Sequence, residues 1–386
     1  MKNVCAWGVF VLGLIFAALL VGCGGVSSRP SPTPTPTPKP SPMPSPTPTP
    51  AAHGTFIFVS GVATSGQPTD GYRLNSDGTL TQIPGSPFAF NGLMAASGGF
   101  LMVASTHTLT SYKVDPATGI PSIAGNAVVS STSAITADAQ DVYVAGTTPD
   151  NTSNVIYSFS IAGSGALTPL SGSPFLFGGA CFFCDNPDSL AVNKNFLAVG
   201  GVGFHSVGDF SVFPRSANGT LGNAQGLGTD EQGAVAIQHP TGNVAFAIDG
   251  SLGAINSYHI DSTGKPAAGS TLFSGTSGFM DEIIDATGKF LLSVDSSGVV
   301  HVFTIDSATA AFSQIGTSES AGNGALQIAM DPSGRFVIVT QSSNQATPPP
   351  PDQITVFTFD PASGAMKKLQ SYPVGKLPFR IAIVTE

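Results

Sequence analysis

"IAMDPSGRFVIVT", residues 328–340, reads as two short strands joined by a tight turn. In Asp-Pro-x-Gly the proline presets φ, the aspartate accepts from its own backbone, and the glycine takes up positive φ. The plan recurs upstream as "EIIDATGKFLLSVD" (282–295) and "VAIQHPTGNVAFAID" (235–249). The turn glycines Gly242, Gly288 and Gly334 are 46 residues apart each time. The strand after each turn is an almost unbroken apolar run, the pattern of a strand covered on both faces.

A second series interleaves with the first. "YRLNSDGTL" (72–80), "YKVDPATGI" (112–120), "FSIAGSGAL" (159–167), "FPRSANGTL" (213–221), "YHIDSTGKP" (258–266), "FTIDSATAA" (303–311) and "FTFDPASGA" (357–365) each hold a strand, a polar turn and a second strand. From Gly78 to Gly364 they span 286 residues over six intervals, a period of about 48. Four short strands per repeat is the arithmetic of a β-propeller blade. The first repeat starts one strand late, at "GTFIFVS" (54–60), and the chain ends in an unpaired strand, "FRIAIVTE" (379–386). The expected fold is therefore all-β: a seven-bladed β-propeller over 54–386, its ring closed by the C-terminal strand pairing with the N-terminal blade. Closure removes the open edges that invite aggregation.

Residues 1–22 carry Lys2 and a short apolar core, the plan of a secretory signal peptide. The exit, Leu20-Val21-Gly22-Cys23, resembles the bacterial lipobox, which implies cleavage after Gly22 and lipidation of Cys23. Residues 23–53 form a Pro/Thr/Ser-rich linker. The alternating prolines of Ser27–Pro50 favour a polyproline II spacer, and at ~3.1 Å per residue it reaches roughly 70 Å. Acyl chains make the membrane a partner. Gly24, in place of the inner-membrane retention aspartate of enteric lipoproteins, points to the outer membrane of a cell envelope.

Only 10% of the residues are charged and 46 are glycine, which suits a turn-rich, exported β-protein. The net charge of −9 excludes nucleic-acid binding, which needs clustered Lys and Arg. A monomer is expected.

The turn pattern, the Asp-Pro-x-[ST]-Gly turns and "GSPF" at 85–88 and 172–175 resemble the lactonase-like seven-bladed propellers, a family that includes 6-phosphogluconolactonases. That resemblance implies a Pro-Arg-His at the head of one inner strand, a Glu after the next strand, and a His and an Arg from the preceding blade. Aligned on Gln238-His239-Pro240, the Pro-Arg-His positions fall on Gly233, Ala234 and Val235, and the Glu on Asp249-Gly250. Asp188 and Asp209 lie where the preceding blade's basic groups belong, and His239 falls in a turn on the opposite face. No basic group is expected in the funnel.

Sorting loops by face gives the same picture. Thirteen acidic residues lie on the face that carries the loops between blades, opposed only by Lys376. Candidate cation- or partner-binding residues are Asp230, Glu231, Asp249, Asp281, Glu282 and Asp295. Ca²⁺ is the candidate ion, although no D-x-D-x-D-G loop is present and adjacent strand residues point to opposite sides. Cys181 and Cys184 fit a local disulfide in an oxidising compartment. The sequence thus favours a binding or scaffold module with an acidic loop face and a protein or cation partner. The alternative is a lactonase with a non-phosphorylated substrate.

Overall fold

The computed structural model describes residues 54–61, 67–177, 186–202, 210–226, 235–240, 242–249, 253–273, 278–343, 352–375 and 377–385. Cys23, Cys181, Cys184, Asp230, Glu231 and Lys376 lie outside these residues. Blade 1 is built from both ends of the fold, with β1 (Thr55–Gly61), β2 (Asp70–Leu74) and β3 (Leu80–Gln82) completed by β29 (Pro378–Thr385). Blade 2 holds β4 (Leu93–Ser97), β5 (Phe100–Ala104), β6 (Thr108–Val114) and β7 (Pro121–Val128). Blade 3 holds β8 (Ala134–Ala137), β9 (Asp141–Thr147), β10 (Asn154–Ile161) and β11 (Leu167–Pro169), with β12 (Phe175–Leu176) also on β10. Blade 4 holds β13 (Asn186–Val192), β14 (Phe196–Val202), β15 (Phe210–Pro214) and β16 (Gln225–Gly226). Blade 5 holds β17 (Val235–Gln238), β18 (Val244–Asp249), β19 (Ala254–Ile260) and β20 (Pro266–Phe273). Blade 6 holds β21 (Phe279–Ile284), β22 (Phe290–Asp295), β23 (Val299–Asp306) and β24 (Ala311–Ser320). Blade 7 holds β25 (Ala325–Met330), β26 (Phe336–Gln341), β27 (Gln353–Phe359) and β28 (Met366–Pro373).

The expected seven-bladed ring and its closure are both present. β29 pairs antiparallel with β1 from Thr385 opposite Thr55 to Arg380 opposite Ser60. The inner strands β29, β4, β8, β13, β17, β21 and β25 each touch the next around the ring.

The apolar runs read from the sequence occupy the second strand of each blade. β18, β22 and β26 are buried at every position. Blades stack face to face, so both faces of these strands meet a neighbour. The buried apolar residues form seven clusters, one in each seam between adjacent blades. The seam between blades 6 and 7, for example, packs Phe290 and Leu292 against Val337 and Phe357.

The Asp-Pro-x-Gly turn behaves as its chemistry predicts. Asp331 accepts hydrogen bonds from the backbone N–H groups of Ser333, Arg335 and Phe336 at 3.0, 2.9 and 2.6 Å. Asp285 accepts from Thr287 and Phe290 in the same way. In blade 5 a histidine replaces the aspartate. His239 is buried, and its Nε2 donates to the Gly288 carbonyl at 2.7 Å, tying this turn to the equivalent turn of blade 6.

Gly288 and Gly334 hold equivalent positive φ angles of +74° and +68°. A Cβ at 288 would lie 2.2 Å from His239 Nε2, whereas one at 334 would meet nothing within 4 Å. Gly334→Ala is therefore expected to cost about 1–2 kcal/mol through backbone strain alone. Gly288→Ala adds displacement of the His239 ring and should cost clearly more. Thermal unfolding of the two variants checks this, and equal losses would contradict the inter-blade role of His239.

Candidate functional site

The inner edges of the seven blades enclose a central cavity of about 620 Å³. Residues of all seven inner strands line it, and the charged ones come from three strands: Asp188 on β13, Asp281 and Glu282 on β21, and Arg380 on β29.

These strands are not regular where the charges sit. Asp188 is the extra residue of a bulge between Pro187 and Ser189. A second bulge, between Phe279 and Asp281, immediately precedes the carboxylate pair. β25 shifts register between Ala325 and Ile328, beside Gln327, and β29 does so at Phe379, beside Arg380. A bulge re-aims side chains and breaks the two-residue alternation of a strand. Asp281 and Glu282 both line the cavity, as do consecutive residues of the regular strands β4 and β8.

Asp281 Oδ2 accepts from the Ile328 N–H of the next blade at 2.9 Å. Burial pushes its pKa up to about 6, opposed by that hydrogen bond, by the Glu282 N–H and by the positive charge of Arg380. Glu282 is only 4% exposed. Burial, reinforced by the Asp281 charge, pushes its carboxyl well above the usual range. Burial lowers the pKa of the Arg380 guanidinium, against the pull of Asp281 and Asp188. Arg380 thus reaches from blade 1 into the field of carboxylates on blades 6 and 4. Its guanidinium also lies 4.3 Å over the Phe379 ring.

Several polar atoms around this cavity are buried without a protein partner. They are Gln238 Oε1, both carboxyl oxygens of Glu282, and Arg380 Nε. Buried polar groups are ordinarily hydrogen-bonded, so such a concentration marks capacity for a ligand or water. Perturbed carboxyls in a concave site beside a cation are the signature of acid–base chemistry.

The remaining sequence-derived candidates lie elsewhere. Asp249 is buried in β18. Asp295 closes a turn, accepting from Ser297 and Val299 at 2.7 and 2.9 Å, and sits 3.0 Å from His301 Nε2. Burial opposes ionisation of Asp295, but the bonds from His301, Ser297 and Val299 outweigh it and hold the pKa low. His301 also stands edge-on to Phe279 at 5.6 Å. Among the described residues no three His, Cys, Asp or Glu side chains are grouped to hold a metal ion. The expectation of a funnel without a basic group is corrected by Arg380. The signal lies in "FRIAIVTE", a charged residue inside an otherwise apolar inner strand.

The family model for "Lactonase, 7-bladed beta-propeller" matches residues 267–383, and the seven-bladed fold agrees with it. No curated protein matches it by sequence. Among solved structures, the periplasmic gluconolactonase PpgL of Pseudomonas aeruginosa is 18% identical, with a TM-score of 0.66 over 86% of this chain and 99% of that one. A candidate 6-phosphogluconolactonase from Bacteroides fragilis is 17% identical, with a TM-score of 0.67 over 88% and 100% of the two chains. A Lactobacillus plantarum protein gives 18% and 0.66, over 86% and 99%. At these identities the likeness is one of fold.

Glu282 supplies a test of the cavity's electrostatics. Its native pKa lies above the unfolded value, so the native state binds a proton that the unfolded state has released. Stability is then highest below pH about 4.5 and falls as pH rises towards the native pKa, with a slope of at most about 1.4 kcal/mol per pH unit. Glu282→Gln removes this dependence and should be more stable than the wild type at pH 8. Urea midpoints at pH 5 and pH 8 measure it, and an unchanged pH dependence would contradict the assignment.

Proposed function

We propose that the protein hydrolyses a non-phosphorylated lactone in the central cavity. The observation that carries this reading is the juxtaposition of Arg380 with the perturbed carboxyls of Asp281 and Glu282. Ionised Asp281 takes a proton from water, and the resulting hydroxide attacks the lactone carbonyl. The Arg380 guanidinium stabilises charge on the carbonyl oxygen and then on the product carboxylate. The ring C–O bond breaks and the leaving oxygen is protonated, so lactone and water give one hydroxy acid. Glu282, whose carboxyl burial holds towards its protonated form, is the acid available for that last transfer. Excess carboxylate in the cavity disfavours a phosphorylated substrate. The names of the neighbours from Pseudomonas aeruginosa and Bacteroides fragilis agree with lactone chemistry.

The protein is further proposed to be exported and lipidated at Cys23, with residues 23–53 as its stalk and Cys181–Cys184 as a disulfide. This places the site in the cell envelope.

The assay is a pH-stat measurement of glucono-δ-lactone, δ-valerolactone and 6-phosphoglucono-δ-lactone hydrolysis, corrected for the spontaneous rate. The non-phosphorylated lactones are expected to turn over faster. The rate should climb about tenfold per pH unit to near pH 6, the pKa to which burial raises Asp281, and then level off. Arg380→Ala should lose about 10²-fold or more in kcat. A preference for the phosphorylated lactone, or full activity in Arg380→Ala, would overturn the assignment. If no lactone turns over, the cavity becomes a non-catalytic binding site.

A further inference from the structure

The cavity has two chemically different halves. Every charged side chain on its wall belongs to blades 4, 6 and 1, with Gln238 and Gln327 on the intervening blades 5 and 7. Blades 2 and 3 contribute residues 93–96 and 134–137, of which Thr136 alone has a polar side chain. The backbone differs as well, with β17 regular like β4 and β8. β13, β21, β25 and β29 are bulged, whereas β4 and β8 pair with their neighbours in unbroken register.

Leu93, Ala95, Ala96, Ile135 and Ala137 are partly exposed although they sit on inner strands. Leu93, Ala95, Ile135 and Ala137 pack against the seam cluster between blades 2 and 3 and Ala96 against that between blades 1 and 2, and all five also line the cavity. Three of the five are alanines, which keep that half wide. A cavity of about 620 Å³ is in the range that encloses a drug-sized ligand, more than a bare lactone ring requires.

We infer that the ligand is amphipathic, a lactone carrying an alkyl or aryl substituent. Its carbonyl lies at Arg380 and its apolar substituent lies on the wall of blades 2 and 3. The inference rests on the lactone reading for the head group. The apolar half makes a separate prediction about binding, independent of turnover.

The test uses two matched series on the purified protein. The first is kcat/KM for δ-valerolactone, δ-octalactone, δ-decalactone and glucono-δ-lactone. The second is calorimetric binding of pentanoate, octanoate and decanoate, which present a carboxylate to Arg380 without chemistry. Both series should strengthen about two- to fourfold per methylene. Ala137→Leu, which fills the apolar half, should flatten them, with its melting temperature showing that the fold persists. Thr136→Val, a milder change, should steepen them.

Chain-length-dependent carboxylate binding without hydrolysis of any lactone would support the amphipathic cavity and sink the lactone reading. Hydrolysis of glucono-δ-lactone at or above the rate of δ-decalactone, with binding flat along the carboxylate series, would keep the lactone reading and overturn this inference.

Discussion

The pairing of β29 with β1 is the constraint on which the rest of the structure depends. It turns a linear array of repeats into a ring, and the ring then places every inner strand against two neighbours. The seam it completes, between blades 7 and 1, is tied by side chains as well. The Tyr72 hydroxyl donates to the Pro373 carbonyl, Leu80 N–H donates to the Tyr372 hydroxyl, and Gly375 N–H donates to Asp70 Oδ2 at 2.6 Å. Closure also has a chemical consequence. The segment that seals the ring carries Arg380, the cation of the central cavity. Stability of the fold and assembly of the site are therefore one event, and a ring left open would have carboxylates without their counter-charge.

The cavity shows how a regular scaffold makes an irregular site. Seven inner strands of uniform register would present a nearly symmetric wall of alternating side chains. Bulges on the blades that bear Asp188, Asp281, Gln327 and Arg380 break that symmetry on one side. There, burial and mutual charge move the carboxyls of Asp281 and Glu282 away from ordinary values. On the other side, β4 and β8 stay regular and apolar. Elsewhere the fold neutralises its buried charges directly. Arg215 is held 2.6 Å from Asp138 and 2.5 Å from Asp141, with its Nε donating to Tyr143 at 2.7 Å, across the seam between blades 3 and 4. Glu282 has no such partner, and that contrast separates structural from functional burial.

The fold was legible because its signals are local and repeated. Turn glycines at a fixed interval, aspartates that cap their own turns and doubly covered apolar strands all appear in contiguous sequence. Even the closure could be read, from a first repeat lacking a strand and a final strand lacking a repeat. The site was only half legible. Asp281 and Glu282 stood out as a charged pair in an apolar segment. Their joint presence on the cavity wall follows from the closed ring, which turns every inner strand towards the channel and has no marker in "GFMDEII" (278–284). Arg380 was hidden for a different reason. Its distance from Asp188 along the chain says nothing about the ring, which alone brings blade 1 into the field of blades 4 and 6. Asp249 and Asp295 show the converse, since their composition suggested a surface and their burial and turn bonding remove them from it.

The most direct measurement is a crystal structure of the protein with δ-valerolactam, a lactone analogue whose amide resists hydrolysis. The account predicts the lactam in the central cavity, its carbonyl oxygen accepting from the Arg380 guanidinium and its ring beside Asp281 and Glu282. A lactam bound only on the outer loops, or a cavity in which Arg380 makes no contact with it, would contradict the claim that ring closure assembles the reactive site.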